Sequence, residues 1–202
     1  MFKKLSLELG GKNPNIIFAD CDFDKMLSTT IRSSFANQGQ ICLCGSRIFI
    51  ERPIYEKFKT AFVEKVSRMK VGNPADDTTK MGAIVSQSHM EKVLSYVDLA
   101  KDEGGTVLTG GNQALVDGEC AEGWFIHPTI IEGLSFDCRT NQEEIFGPVV
   151  TIMPFDTEEE VLMMANSTKY GLASTVWTEN LKKAHRMARN LHAGIVWINC
   201  WL

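Results

Sequence analysis

An α/β fold with three layers, helices on both faces of a mostly parallel sheet, is predicted by three observations. Strand-like and helix-like stretches alternate from Asn15 to Ile198. The strand-like stretches are short and apolar, as in Val149–Phe155, and the helix-like ones are amphipathic. The 202 residues are 44% hydrophobic and 23% charged, which suits a globular chain with one sizeable core.

The elements follow in order. Asn15–Phe18 reads as a buried strand, and Phe23 to about Ala36 as a helix that Asp22 or Asp24 can cap. Ser46–Ile50 is strand-like. Pro53–Met69 is a helix: proline suits the first turn, and Ile54, Phe58, Ala61, Phe62, Val66 and Met69 recur at helical spacing. Gly72-Asn73-Pro74 ends it. Ser86–Lys101 is a second amphipathic helix and Val107–Thr109 a short strand. Residues 110–123 lack periodicity and read as a surface loop. Trp124–Ile131 and Val149–Phe155 are strand-like. Thr157 with Glu160 three residues on forms a capping-box pattern for a helix running to about Ser167. Thr175–Trp177, Leu181–Leu191 and Ile195–Ile198 read as strand, helix and strand. Trp124, Trp177 and Trp197 are expected in the core, and Met163, Met164 and Met187 in helix packing.

Composition narrows the function classes. The net charge of −4 and scattered basic residues argue against a nucleic-acid or membrane-surface partner. No stretch has the length and apolarity of a membrane span, and no secretory signal is visible. The six cysteines, at 21, 42, 44, 120, 138 and 200, fit no zinc pattern, so no metal is expected. Free thiols suit a reducing, cytoplasmic setting, with the mitochondrial matrix left open. Leu5 and Leu7 already alternate at the start, and Trp201-Leu202 directly follows an apolar strand. Both ends therefore read as cut from a longer sequence.

Two glycine-framed segments carry the chemistry. Glu8 lies in Leu7-Glu8-Leu9-Gly10-Gly11-Lys12-Asn13-Pro14, and Cys42 in Asn37-Gln38-Gly39-Gln40-Ile41-Cys42. A thiolate attacks a carbonyl carbon, and a carboxylate can activate the water that releases the product. On the residues alone, a lone cysteine is more often a small buried hydrophobe, and Glu8 a surface acid. Likewise Glu143-Glu144-Ile145-Phe146-Gly147-Pro148 can be an acidic helix end before a Gly-Pro turn. Lys12 reads as a loop residue, and Cys44 as structural.

Together these three segments, in this order, resemble the NAD(P)-dependent aldehyde dehydrogenase superfamily, and the resemblance runs from Leu5 to Leu202. It implies that Cys42 is the nucleophile and Glu8 the general base. Glu144 would bind the nicotinamide ribose hydroxyls, and Phe146 would pack near the nicotinamide ring. The implied reaction oxidises an aldehyde to a carboxylic acid with NAD, NADP being the alternative. Residues 1–202 would be the catalytic domain. The cofactor domain, the upstream asparagine that helps hold the oxyanion, and the C-terminal oligomerisation segment would lie outside this chain. The full-length parent would be a homo-dimer or homo-tetramer, and the isolated chain is expected to be inactive and prone to associate.

His89 falls where relatives often carry a glutamine near the cofactor, and a solvated helix histidine fits equally well. The stretch Gly194–Leu202 resembles the branch acting on 2-aminomuconic and 2-hydroxymuconic semialdehydes; betaine, retinal and aliphatic aldehydes remain alternatives. CoA-acylating relatives usually lack the glutamate that Glu8 matches, so Glu8 argues for hydrolysis. A non-catalytic protein reusing the fold is the other alternative, and the intact set of four residues argues against it.

Overall fold

The computed structural model describes residues 2–202. Seven strands form one sheet: β1 (Asn13–Ile17), β2 (Gly45–Glu51), β3 (Thr106–Thr109), β4 (Thr129–Glu132), β5 (Val149–Phe155), β6 (Ala173–Trp177) and β7 (Ile195–Ile198). Their order is β3-β4-β5-β2-β1-β6-β7. Only β3 runs antiparallel to its neighbour; every other pair is parallel.

Helices α1 (Phe23–Phe35) and α2 (Tyr55–Ser67) cover one face. There Ile17, Ile48 and Ile50 pack with Met26, Phe58 and Phe62. Helices α5 (Glu158–Ala165) and α6 (Leu181–Asn190) cover the other. There Ile16, Phe49 and Phe155 pack with Val161, Met164 and Met187. Neighbours along a strand point to opposite faces, so Ile16 and Ile17, or Ile48 and Phe49, must both be apolar when both faces are covered. Helix α3 (Gln87–Asp102) closes a third cluster over the β3–β4 end, where Val93 and Val97 meet Ile126 and Ile131. The three-layer expectation is met.

The caps follow the local chemistry. Of the two acids before α1, Asp22 is the cap: its Oδ1 accepts from Lys25 N at 3.2 Å. Thr157 Oγ1 accepts from Glu160 N at 3.1 Å, while the Glu160 carboxylate reaches back to Asp156 N at 2.6 Å.

Several expectations need correction. Pro53 does not open α2; it sits in a single 3-10 turn, Arg52–Ile54, that leads into it. The stretch from Trp124 joins the sheet only over Thr129–Glu132; before Pro128, which has no N–H to donate to a ladder, Ile126 makes an isolated antiparallel bridge to Gln113. Trp124 is 37% exposed and Trp197 only half-buried, so neither is core, in contrast to the buried Trp177. Met163 also faces outward, while its neighbour Met164 is buried. A one-turn helix, α4 (Arg139–Gln142), was not anticipated. Its first two N–H groups are taken by the Glu103 carboxylate, at 2.8 and 3.2 Å, a cap supplied from far away in sequence. Among the described residues, no helix is long and apolar enough to cross a membrane.

The sheet gathers the three motifs. Gly11-Lys12 leads into β1, Cys42–Cys44 into β2, and Glu144–Pro148 into β5. In the sheet these strands are neighbours, β5-β2-β1, and all are parallel. All three motifs therefore meet at one edge, the amino ends of the strands.

Candidate active site

The cysteine segment begins where α1 ends. Asn37, Gln38 and Gly39 all adopt left-handed backbone, with φ of 48°, 58° and 70°. For Asn37 and Gln38 this is a sparsely populated region that the surroundings must enforce. Gly39 has no alternative: a Cβ there would lie 2.2 Å from the carbonyl oxygen of Gly147. The contact joins the cysteine segment to the third motif. Gln40 Oε1 accepts from Val85 N at 3.1 Å, and Cys44 N donates to Ile41 O at 3.0 Å. The second bond closes a turn with Cys42 inside it. Cys42 is half-buried and Cys44 is buried. Burial pushes the Cys44 thiol up to about 12, so Cys44 stays protonated and does not compete as a nucleophile.

The third motif is held by one face of α3. His89 Nε2 lies 2.7 Å from Phe146 O, and Lys92 Nζ donates to Glu144 O at 3.3 Å. Tyr96 donates its hydroxyl to Glu143 at 2.6 Å. Spacings of three and four residues bring these side chains onto one stripe. Arg139 also grips Glu143, at 2.9 and 3.1 Å. Arg139 and Tyr96 together hold the Glu143 carboxyl down at about 2. Phe146 takes a left-handed φ of 61° and is 37% exposed.

The glutamate motif meets the third motif through its glycines. Gly11 N donates to Glu144 Oε1 at 2.8 Å. A Cβ on Gly10 would lie 2.6 Å from Glu144 Oε2, so the pair of glycines makes room for that carboxylate. Cys42, Glu144 and Phe146 thus border a common small cavity of about 20 Å³, with Gly11, Gly39 and Ser46 also in its wall. That is room for about one water. Glu8 is not among its lining residues. It lies on an exposed segment without regular structure, two residues before Gly10.

Several residues gained importance only in the structure. Lys12, expected as a loop residue, is only 2% exposed. Burial first, and then the Arg47 guanidinium, pull its amine down to about 7. Arg47 is fully buried and donates to the carbonyls of Lys12, Met164 and Ala165 at 2.8–2.9 Å. It therefore terminates α5 and ties the glutamate motif to it, a cation at a helix carboxyl end. A charged residue inside the apolar run Ser46–Ile50 was the available signal. Asn13 and Trp201, which bind the cysteine segment from far away in sequence, gave no comparable signal. Among the described residues, no group of three or more His, Cys, Asp or Glu is arranged to hold a metal ion.

The sequence profile of the aldehyde dehydrogenase family matches residues 1–202. The chain belongs to the aldehyde dehydrogenase family. It is 52% identical over 202 residues to the 2-aminomuconic semialdehyde dehydrogenase of Danio rerio, covering 99% of this chain and 42% of that protein. It is 48% identical over 199 residues to the 2-hydroxymuconic semialdehyde dehydrogenase of Pseudomonas putida, covering 98% of this chain and 41% of that protein. Among solved structures, a double mutant of Staphylococcus aureus betaine aldehyde dehydrogenase in complex with NAD+ superimposes with a TM-score of 0.92. The identity is 42%, over 96% of this chain and 39% of that one. The chain thus spans about two fifths of the length of the relatives it matches.

Proposed function

We propose that this aldehyde dehydrogenase chain is the catalytic domain, residues 1–202, of an enzyme that oxidises an aldehyde to a carboxylic acid through Cys42. The observation that carries the proposal is the convergence of Cys42, Glu144 and Phe146 around a single cavity at one sheet edge.

In this reading the Cys42 thiolate adds to the aldehyde carbon and forms a thiohemiacetal. Loss of hydride from that carbon leaves a thioester on Cys42. Glu8 takes a proton from water, the water oxygen attacks the thioester carbon, and the carbon–sulfur bond breaks. The acid leaves and the Cys42 thiolate is regenerated. A nicotinamide dinucleotide, when bound, supplies the hydride acceptor.

The residues present fit such a cofactor. Gly11 N–H occupies Glu144 Oε1, and the remaining lone pairs of the carboxylate suit a vicinal diol. The ring of the exposed Phe146 suits a planar heterocycle. NAD is the proposed dinucleotide, and NAD+ is what the cited betaine aldehyde dehydrogenase structure holds. The dinucleotide domain and the oligomerisation segment belong, in this reading, to parts of the protein outside this chain. The full-length protein would act as a homo-dimer or homo-tetramer in the cytoplasm. The 202-residue chain would form no NADH by itself.

The proposed substrate class is a muconic semialdehyde, supported by the relatives named for 2-aminomuconic and 2-hydroxymuconic semialdehydes, at 52% and 48% identity. The test is NADH formation by the full-length protein on a muconic semialdehyde and on a simple aliphatic aldehyde, with and without Cys42→Ala. The expected result is turnover that favours the semialdehyde and disappears with Cys42→Ala. Turnover that survives Cys42→Ala would contradict the mechanism, and preference for the aliphatic aldehyde would contradict the substrate class.

A further inference from the structure

Three consecutive carbonyls of the cysteine loop are each bound by a side chain from a distant part of the sequence. Asn13 Nδ2 donates to Cys42 O at 2.7 Å and to Cys44 O at 2.9 Å. Trp201 Nε1 donates to Leu43 O, between them, at 3.0 Å. The loop from Ile41 to Cys44 belongs to no helix or strand, so these side-chain donors do for it what a ladder does for a strand.

Each donor is itself fixed. Asn13 is the first residue of β1, and its Oδ1 accepts from Ala173 N of β6 at 3.2 Å. Trp201 is buried, with the Arg32 guanidinium over its ring at 5.6 Å from the centroid. Arg32 also donates to Trp201 O at 2.9 Å. The return of the chain to this place is built in after β7. Asn199 adopts a left-handed φ of 54° and pairs with the Thr178 peptide in both directions, at 3.0 and 2.9 Å.

The loop needs such restraint. It follows two non-glycine residues held in left-handed backbone, and that strain relaxes if the segment can move. A nucleophile displaced by about 1 Å loses on the order of a hundredfold in rate. We propose that Asn13 and Trp201 are positioning residues that aim the Cys42 thiol by gripping the carbonyls of Cys42, Leu43 and Cys44. The proposal rests on the reading of Cys42 as the nucleophile.

Two variants remove the grip with little change of shape. Trp201→Phe keeps an aromatic ring beneath Arg32 and removes the N–H. Asn13→Asp keeps the acceptor that Ala173 N uses and removes the donor. In the 202-residue chain, iodoacetamide labelling is read cysteine by cysteine from peptide fragment masses. A loosened loop exposes Cys42, so its labelling rises by about threefold or more, the population change that one lost buried hydrogen bond produces. Cys21 and Cys138, which lie outside the loop, label as before. In the full-length enzyme the same variants lower kcat and leave the aldehyde KM within about twofold, as loss of aim without loss of binding requires.

A rise at Cys21 and Cys138 together with Cys42 would mean general loosening and would overturn the proposal. Unchanged Cys42 labelling in folded Trp201→Phe would overturn it too. If Asn13→Asp does not fold, Trp201→Phe decides; if Trp201→Phe does not fold, the N–H is a folding contact and the proposal fails. Turnover that survives Cys42→Ala refutes the nucleophile assignment separately, and the labelling pattern still judges the grip.

Discussion

The segment around Cys42 is gripped from β1 and from the stretch after β7, which Arg32 of α1 holds in turn, whereas the segment carrying Glu8 meets the fold only at its end. Residues 2–10 are exposed and without regular structure, and burial begins at Gly11. Leu5, Leu7 and Leu9 alternate along this segment with their side chains in solvent. Such a strip is the kind of surface that another layer of protein covers. The nucleophile's half of the proposed chemistry is therefore built from contacts inside this chain, and the general base's half is not. The glycine pair Gly10-Gly11 is the boundary, pinned to Glu144 on one side and free on the other.

The largest expected effect separates the two halves chemically. In the full-length enzyme, Cys42→Ala lowers turnover by roughly 10⁴-fold or more, as removal of a nucleophile does. It also abolishes any burst of NADH. Glu8→Gln lowers steady-state turnover by about 10²- to 10⁴-fold, the range for general-base catalysis, yet leaves a burst of about one NADH per site. Stopped-flow absorbance distinguishes them; a Glu8→Gln enzyme without a burst would place Glu8 before thioester formation.

A smaller effect compares the two regions in stability. Arg47→Met takes the guanidinium from three carbonyls, of which Met164 O keeps a bond from Ser167 Oγ at 2.8 Å, and is expected to cost about 3 kcal/mol, since hydrogen bonds to charged groups are the strong class. Leu9→Ser, in the exposed segment, should stay within about 0.5 kcal/mol. Urea unfolding of the two variants gives both numbers, and equal losses would contradict the contrast.

A third effect is a pH dependence at the boundary itself. Lys12 titrates near 10.5 when unfolded and near 7 when buried. Below pH 7 both states are protonated, and the folded state carries the full desolvation penalty. Between pH 7 and 10.5 the unfolded state binds the extra proton, so this group makes stability rise with pH. Lys12→Met removes the penalty. Its stabilisation should be greatest near pH 6 and fade as pH approaches 10.5, as thermal melts across that range will show. A gain independent of pH would contradict the burial argument.

The architecture was legible because its signals are local and repeated. The paired apolar residues of Ile16-Ile17 and Ile48-Phe49 imply a sheet covered on both faces, and Thr157 with Glu160 marks a helix start through one short-range bond. Trp124 misled because an aromatic residue in an apolar run looks like core, while Pro128 decides where the sheet ladder can begin. Cys42, Glu144 and Phe146 were legible as motifs, and the parallel neighbours β5, β2 and β1 explain how three separated segments meet. Asn13, Arg47 and Trp201 were less visible because their roles are hydrogen bonds to main-chain carbonyls across the fold. Such bonds depend on where the backbone comes to lie, and side-chain type alone does not reveal it. Lys12 shows the same limit: a lysine two residues from an exposed leucine-rich segment gives no hint that it is buried.

The most direct measurement is the intact mass of the full-length Glu8→Gln enzyme, quenched in acid during turnover of a muconic semialdehyde with NAD. The account predicts an acyl adduct that adds the substrate's mass less two hydrogens, mapped by fragmentation to Cys42 and absent from Cys42→Ala. An adduct on another residue, or none while NADH has formed, would contradict it.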